Sequence, residues 1–190
     1  MKKPSNSQVR IIGGQWKRRS LSFLAVNDLR PTPDRVRETL FNWLQFDIQG
    51  TRCLDMFAGS GALGVEALSR GAAECVFFEK NTAQGKHLQQ AIVNFGQQPQ
   101  VLIGDSLQLI RQQQQAFDIV FLDPPYSLNL WQNACQLLIE QKLIHQESLI
   151  YIEADKDWTA LDLPACWQYF KSTKAGSVHS YLAKVDFTHV

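Results

Sequence analysis

The chain has 190 residues, 45% of them apolar, with 19 Lys plus Arg against 18 Asp plus Glu. That length fits one domain, with a small appendage at most, and the ordinary apolar content excludes wholesale disorder. No apolar run approaches the roughly 20 residues of a membrane span, and the leading lysines have no apolar stretch behind them, so neither an anchor nor a secretory signal is expected.

Charge is unevenly placed. Residues 1–37 hold nine Lys or Arg against two Asp, a net +7, and the remainder is −6. A basic head on an acidic body predicts an anionic polymer docking at the head, because Lys and Arg displace condensed counterions from phosphates. The basic residues are interleaved with Ile11, Ile12, Trp16, Leu21 and Phe23, which a merely solvated tail would not need. VRII and QWKRR flank Gly13-Gly14, which reads as the two-residue link of a β-hairpin. Thr32-Pro33 then reads as N-cap and first turn of a helix, with Val36, Leu40, Trp43 and Leu44 as its apolar stripe. Residues 1–47 are therefore expected to form a hairpin-plus-helix extension. Its candidate nucleic-acid contacts are Arg10, Trp16, Lys17, Arg18, Arg19, Arg35 and Arg37.

From residue 48 to 190 short apolar strands alternate with helical patterns. RCLDMF, ECVFFE, QVLIG, FDIVFL and SLIYIE read as buried strands, separated by helical stretches near 61–70, 81–95, 105–115 and 128–142. The alternation predicts a mostly parallel sheet covered on both faces, an α/β fold. Residues 166–187 carry no helical pattern, and two strand-like runs flank Lys174-Ala175-Gly176-Ser177, so the sheet is expected to close with an antiparallel hairpin. The four cysteines form no CxxC pair and the histidines no HExxH, so reduced thiols in a cytoplasmic chain without a metal are expected.

Ligands of such sheets bind beyond the carboxyl ends of the strands. After the first body strand, Asp55-Met56-Phe57-Ala58-Gly59-Ser60-Gly61-Ala62-Leu63-Gly64 contains GxGxxG between strand and helix. Alone, that pattern serves NAD, FAD or S-adenosylmethionine. Glu79, ending the second strand 20 residues after Gly59, suits ribose hydroxyls in any of them. Asp55 discriminates, because an anion there repels a pyrophosphate and suits an α-ammonium. Asp105 after the third strand offers an acceptor to an adenine amine, or alternatively a helix N-cap.

After the fourth strand comes Asp123-Pro124-Pro125-Tyr126. Two prolines remove two N–H donors, which leaves carbonyl oxygens and a carboxylate. An acceptor-only cluster of this kind suits an NH2 group, and Tyr126 adds a flat surface for a base.

DMFAGSGALG followed by DPPY resembles the amino-methyltransferases of nucleobases. RIIGGQWKRRSL and LRPTPDRVRETLFNWL narrow the resemblance to the bacterial 16S ribosomal RNA guanine-N2 methyltransferases that modify guanine 966, the RsmD family. The resemblance runs from about Arg10 to the end and is dense in motifs over residues 10–126. It implies a class I S-adenosylmethionine-dependent methyltransferase fold, Rossmann-like, with seven strands of which the last is antiparallel. It implies cofactor contacts from Asp55, Phe57, Gly59, Ser60, Gly61, Glu79, Lys80, Asp105 and Ser106, and catalysis by Asp123, Pro124, Pro125 and Tyr126. Arg35 and Thr39 are placed toward the methionine end or the target base. The implied partner is 16S rRNA, within a 30S particle or assembly intermediate. Three rivals remain. A DNA adenine-N6 methyltransferase lacks here a separate target-recognition domain. An idle RNA-binding assembly factor has no need of the acceptor cluster. An NAD-dependent oxidoreductase is disfavoured by Asp55 and by the lack of a hydride-transfer acid.

Overall fold

The computed structural model describes residues 6–25 and 31–188; Lys2, Lys3, Asp28, Arg30 and His189 lie outside them. A hairpin of β1 (Asn6–Arg10) and β2 (Ser20–Leu24) precedes α1 (Asp34–Trp43). The body alternates β3 (Arg52–Asp55), α2 (Ala62–Ser69), β4 (Glu74–Glu79), α3 (Thr82–Asn94), β5 (Gln100–Ile103), α4 (Ser106–Leu109), β6 (Phe117–Leu122), α5 (Trp131–Glu140) and β7 (Ile144–Ala154). It ends in the hairpin of β8 (Trp167–Ala175) and β9 (Val178–Val185), as the sequence predicts.

The seven body strands make one sheet in the order β5-β4-β3-β6-β7-β9-β8. Neighbours from β5 to β7 are parallel, and β9 runs antiparallel to both β7 and β8. Strand order reverses between β3 and β6, which makes their carboxyl ends the place to look for a ligand. Successive strand residues alternate faces, and both faces are buried. Ile119, Phe121, Tyr151 and Leu182 pack under α1, α2 and α3. Val120, Leu122, Ile150 and Ile152 pack with Trp131 and Leu138 of α5 on the other side.

The amino-terminal hairpin exists, but the glycine pair does not make its turn. Residues 11–19 connect the strands, closed by Ile11 N–H to the Arg19 carbonyl and Arg18 N–H to the Ile11 carbonyl, both at 2.9 Å. Gly14 has φ +75°, and a Cβ there would lie 1.8 Å from the Ser69 carbonyl oxygen. The glycines are thus spent on a close approach to the end of α2. Val9, Ile11, Trp16, Leu21 and Phe23 share one core cluster with Leu40 and Phe41 of α1, Leu63 of α2 and Leu88 of α3.

Three local expectations are corrected. The cap of α1 is Pro33, with no side-chain hydrogen bond at that end, while the Thr32 hydroxyl turns instead to Glu153. The 105–115 helix shortens to α4 plus a 3-10 turn at Ile110–Gln112, because the following glutamines carry no apolar face to bury. The last helix of the body begins at Trp131 rather than 128, behind Asn129 in the left-handed region. The edges differ in length: β5 has four residues, whereas β8 has nine, with a bulge between Tyr169 and Lys171.

Candidate functional site

Because β5, β4, β3, β6 and β7 are neighbours in that order, their carboxyl ends set out a row of acids: Asp105, Glu79, Asp55, Asp123 and Glu153. Asp55 and Asp123 straddle the reversal point, since Asp55 pairs with Phe121 in the β3–β6 ladder.

Asp55 is buried, and its Oδ2 accepts a 3.0 Å hydrogen bond from the Gly64 N–H in the first turn of α2. The protein's own carboxylate therefore occupies the helix terminus that a pyrophosphate would use in a dinucleotide site. Burial raises its pKa to about 7, the Gly64 bond opposing and Glu79 adding to the shift. Gly59 (φ +52°) and Gly61 (φ +77°) hold the loop in the left-handed region. A Cβ on Gly64 would meet the Phe77 ring at 2.2 Å, so the third glycine of the motif serves helix-to-strand packing. Ser60 is buried and its Oγ accepts from the Ala62 N–H at 3.3 Å; Phe57 is half-buried against the α5 side of the core.

Glu79 is half-buried and accepts 2.7 Å from the Asn81 N–H, with the Gly59 and Lys80 amides also turned to its carboxylate. Burial dominates and lifts its pKa. The carboxylate is thus held by the glycine loop on one side and its own turn on the other. Asp105 caps α4 through Leu107 N–H at 3.0 Å and lies 3.4 Å from the exposed Lys80 ammonium; Ser106 beside it is buried. The N-cap role is real for Asp105, and one oxygen of an exposed capping carboxylate still has lone pairs to offer.

At the end of β6 the Pro125 carbonyl accepts from the Leu128 N–H at 3.0 Å, closing the 3-10 turn Tyr126–Leu128. Pro124 is buried and Pro125 exposed. Asp123 has its pKa raised well above the ordinary carboxylate value by burial, then by Glu153 and Asp55. Tyr126 is half-buried, its ring 5.8 Å from that of Trp131 and its hydroxyl donating 3.2 Å to Glu153. Burial and the surrounding carboxylates push the phenol up. Among the described residues no Lys, Arg or His pairs with Asp55, Glu79, Asp123 or Glu153. A row of strand-end carboxyls in which only Asp105 is paired with a cation has the electrostatics of a seat for a cationic ligand.

A family model described as "Conserved hypothetical protein 95" matches residues 9–184. The curated Haemophilus influenzae protein named ribosomal RNA small subunit methyltransferase D is 42% identical over 92% of both chains. The chain belongs to that methyltransferase D family. A solved Escherichia coli structure is 39% identical, covers 95% of this chain and 99% of its own, and superposes with a TM-score of 0.86. A more distant solved chain, 12% identical with a TM-score of 0.71 over 97% of this chain and 57% of its own, holds S-adenosylhomocysteine; its likeness is one of fold.

In this family member the amino-terminal head splits into two faces. Arg10, Lys17, Arg18, Arg19 and Arg35 are exposed. Arg19 lies 4.3 Å over the Phe95 ring and donates 2.8 Å to the Asn94 carbonyl, so part of its work is packing. Trp16 and Arg37, expected at the nucleic-acid face, are corrected: both are buried. The Trp16 ring packs 4.9 Å from that of Phe95, and the Trp16 backbone N–H donates 3.0 Å to Ser69 Oγ. Arg37 is 0% exposed and spends its guanidinium on Asp34, Glu66 and the carbonyls of Arg10 and Thr32. Thr39 bonds back to the Arg35 carbonyl at 3.0 Å.

Sequence reasoning missed three residues that organise the structure around the site and gave a fourth, Thr32, a different role. Glu66, fully buried in α2, accepts from Ile12 N–H (2.8 Å), Gly13 N–H (2.7 Å), Arg37 (3.5 Å) and Arg70 (2.7 Å). Gln84 donates 2.7 Å to the Gly59 carbonyl and accepts 2.8 Å from Leu24 N–H, bridging cofactor loop and hairpin. Glu153 and Thr32 are the others. The signal for Glu66 was a lone acid in the apolar run ALGVEALS, and for Glu153 an acid ending an apolar strand, as at Glu79.

Proposed function

We propose that this chain transfers the methyl group of S-adenosylmethionine to the exocyclic N2 amine of a guanine in 16S ribosomal RNA. It acts in the cytoplasm on a 30S particle or an assembly intermediate of one. The observation that carries this reading is Asp123-Pro124-Pro125-Tyr126 at the end of β6, across the reversal point from the glycine loop. The family's substrate name supports the choice of small-subunit rRNA.

Asp55, Phe57, Gly59, Ser60 and Gly61 line the cofactor's loop, Glu79 and Lys80 its ribose side, Asp105 and Ser106 its adenine side. When bound, the cofactor supplies a methyl on a sulfonium that is already electrophilic. The cation-poor row of carboxyls suits its positive charges, and Asp55 stands where a pyrophosphate would be repelled.

The guanine amine is a weak nucleophile because its lone pair is delocalised into the ring. The Pro125 carbonyl is committed to the 3-10 turn, so the acceptors left for the amine are the Asp123 carboxylate and the Pro124 carbonyl. Two such hydrogen bonds favour a pyramidal nitrogen and orient its lone pair, and positioning supplies much of the remaining barrier reduction. An ionised Asp123 is the stronger acceptor; burial and then Glu153 and Asp55 raise its pKa, and the positive charge of a bound cofactor would favour the ionised form. The target base leaves its stack to enter, and the Tyr126 ring replaces part of the lost stacking. The exposed Arg10, Lys17, Arg18, Arg19 and Arg35 supply phosphate contacts.

The test is radiolabelled methyl transfer to naked 16S RNA, partly assembled 30S particles, tRNA and duplex DNA, with nucleoside analysis of the product. N2-methylguanosine from the 16S substrates is expected. N6-methyladenine in DNA, or tight RNA binding with no transfer, would overturn the reading.

A further inference from the structure

Glu153 is the last residue but one of β7, beside the catalytic tetrapeptide. Leu122 pairs with Ile152 in the parallel β6–β7 ladder, so the residues that follow are neighbours: Asp123, just past the end of β6, and Glu153, still within β7. Glu153 is 5% exposed, and its carboxylate is an acceptor for three hydroxyls from three parts of the chain. Tyr126 donates to Oε1 at 3.2 Å, Tyr151 to Oε2 at 2.9 Å, and Thr32 approaches from the segment before α1. Tyr151 also bonds Ser180 Oγ on β9 at 3.1 Å, which fixes that phenol. The backbone of the same residue is engaged as well: the Glu153 carbonyl accepts 3.0 Å from the Trp131 indole N–H. One residue therefore grips, through its side chain, the hydroxyl of Tyr126 and, through its carbonyl, the indole against which the Tyr126 ring rests.

That arrangement is costly unless it does something. A buried carboxylate beside Asp123, with no cation paired to it among the described residues, pays desolvation, which raises its pKa against the three hydroxyls that lower it, and its charge in turn raises the pKa of Asp123. A neutral amide would satisfy much of the same space at lower electrostatic cost. A charge-assisted hydrogen bond is stronger and more directional than a neutral one, and direction is what a half-buried tyrosine on a short 3-10 turn lacks.

We infer that Glu153 is a positioning residue for the methyl transfer: its carboxylate locks the Tyr126 ring in the plane on which the extruded base stacks, and Thr32 links that lock to the amino-terminal segment. This rests on the reading of Asp123–Tyr126 as the catalytic tetrapeptide. Glu153 touches neither cofactor nor base in this role, and acts through Tyr126.

The test is a double-mutant cycle on the full chain, in single-turnover methylation of the RNA substrate, with cofactor affinity and melting temperature measured alongside. Tyr126→Phe keeps the ring and removes only the tether; Glu153→Gln keeps the shape and removes the charge. Each is expected to lower the single-turnover rate roughly tenfold, the scale of one lost oriented hydrogen bond to a charged group. Cofactor affinity should stay within about twofold, as expected when the lost interaction is made only to the tyrosine. Because Glu153→Gln weakens the tether that Tyr126→Phe removes, the double variant should be no slower than Tyr126→Phe alone. If the effects multiply, or cofactor affinity falls with the rate, Glu153 acts by another route and the inference is overturned. If Glu153→Gln fails to fold, Tyr126→Phe decides alone: a wild-type rate in it refutes the tether. Asp123→Ala separates the two levels of argument. Near-normal activity there refutes the catalytic assignment itself, whereas a dead Asp123→Ala beside two unimpaired tether variants refutes only the role of Glu153.

Discussion

Around Glu66, four donors converge on one fully buried carboxylate, two of them backbone amides and two of them arginines. At the ends of β3, β6 and β7, Asp55, Asp123 and Glu153 crowd together with hydroxyls and one backbone amide, and among the described residues no cation pairs with them. Both regions withdraw acids from water. In the second, burial raises the pKa of all three acids. The difference separates two uses of buried charge: compensated within the chain, it fastens one piece of structure to another; left uncompensated, it awaits something positive from outside.

Asp123→Ala tests the uncompensated side most severely. Turnover should fall by roughly 10²–10⁴, the range for losing a positioned acid–base or electrostatic group, with cofactor affinity and melting temperature nearly unchanged. Asp123→Asn retains one acceptor oxygen; it should keep part of the activity if hydrogen-bond geometry dominates and match the alanine variant if charge decides. Glu66→Ala tests the compensated side. It strands Arg37 without its buried partner and frees the Ile12 and Gly13 amides, so unfolding free energy should drop by about 3–5 kcal/mol in denaturant titration. An unaltered midpoint would mean that the hairpin does not depend on this latch.

Glu79→Ala should weaken cofactor binding by about 1–3 kcal/mol in calorimetry, the cost of losing hydrogen bonds to a charged acceptor. An unchanged dissociation constant would make the acid structural only. The pH prediction follows from Asp55, whose pKa moves from 3.8 to about 7 on folding. Between these values the folded chain holds a proton that the unfolded chain has released, so the stability of the cofactor-free protein should fall as pH rises through that window. Asp55→Asn should flatten the melting-temperature profile there, and cofactor affinity of the wild type should rise through pH 7 as the carboxylate ionises. The smallest effect belongs to the head's outer face. Lys17→Ala with Arg18→Ala should leave cofactor affinity alone and reduce the salt slope of RNA binding by roughly 0.7–0.9 per lost phosphate contact.

The alternation of strands and helices and the row of acids after the strands were legible because both depend on local pattern: apolar runs of strand length, and polar residues stationed where each run stops. What escaped notice depends on partners distant in sequence. Trp16 looks like an RNA-stacking ring among basic residues, yet it is buried with its ring against Phe95. Arg37 looks like one more positive charge, yet Glu66, 29 residues on, claims it. Gly13-Gly14 has the composition of a tight turn, and only the proximity of the Ser69 carbonyl reveals the other reason for a missing Cβ. Thr32 has the type and place of an N-cap, but Glu153 competes for its hydroxyl and wins.

The way the sheet ends bears on self-association. An open edge strand is a template for pairing with another copy of the chain. By folding β9 back between β7 and β8, the chain makes β8 the outer strand on one side, and β5 is the outer strand on the other. β5 offers only four residues, too short a rung for a foreign strand to hold firmly. β8 is long enough to be dangerous, but its bulge between Tyr169 and Lys171 breaks the regular spacing of amides, and Lys171 and Lys174 place charge along it. A straight, uncharged β8 would present nine residues of ladder to every neighbour, and removing the bulge and both lysines should raise aggregation through this edge.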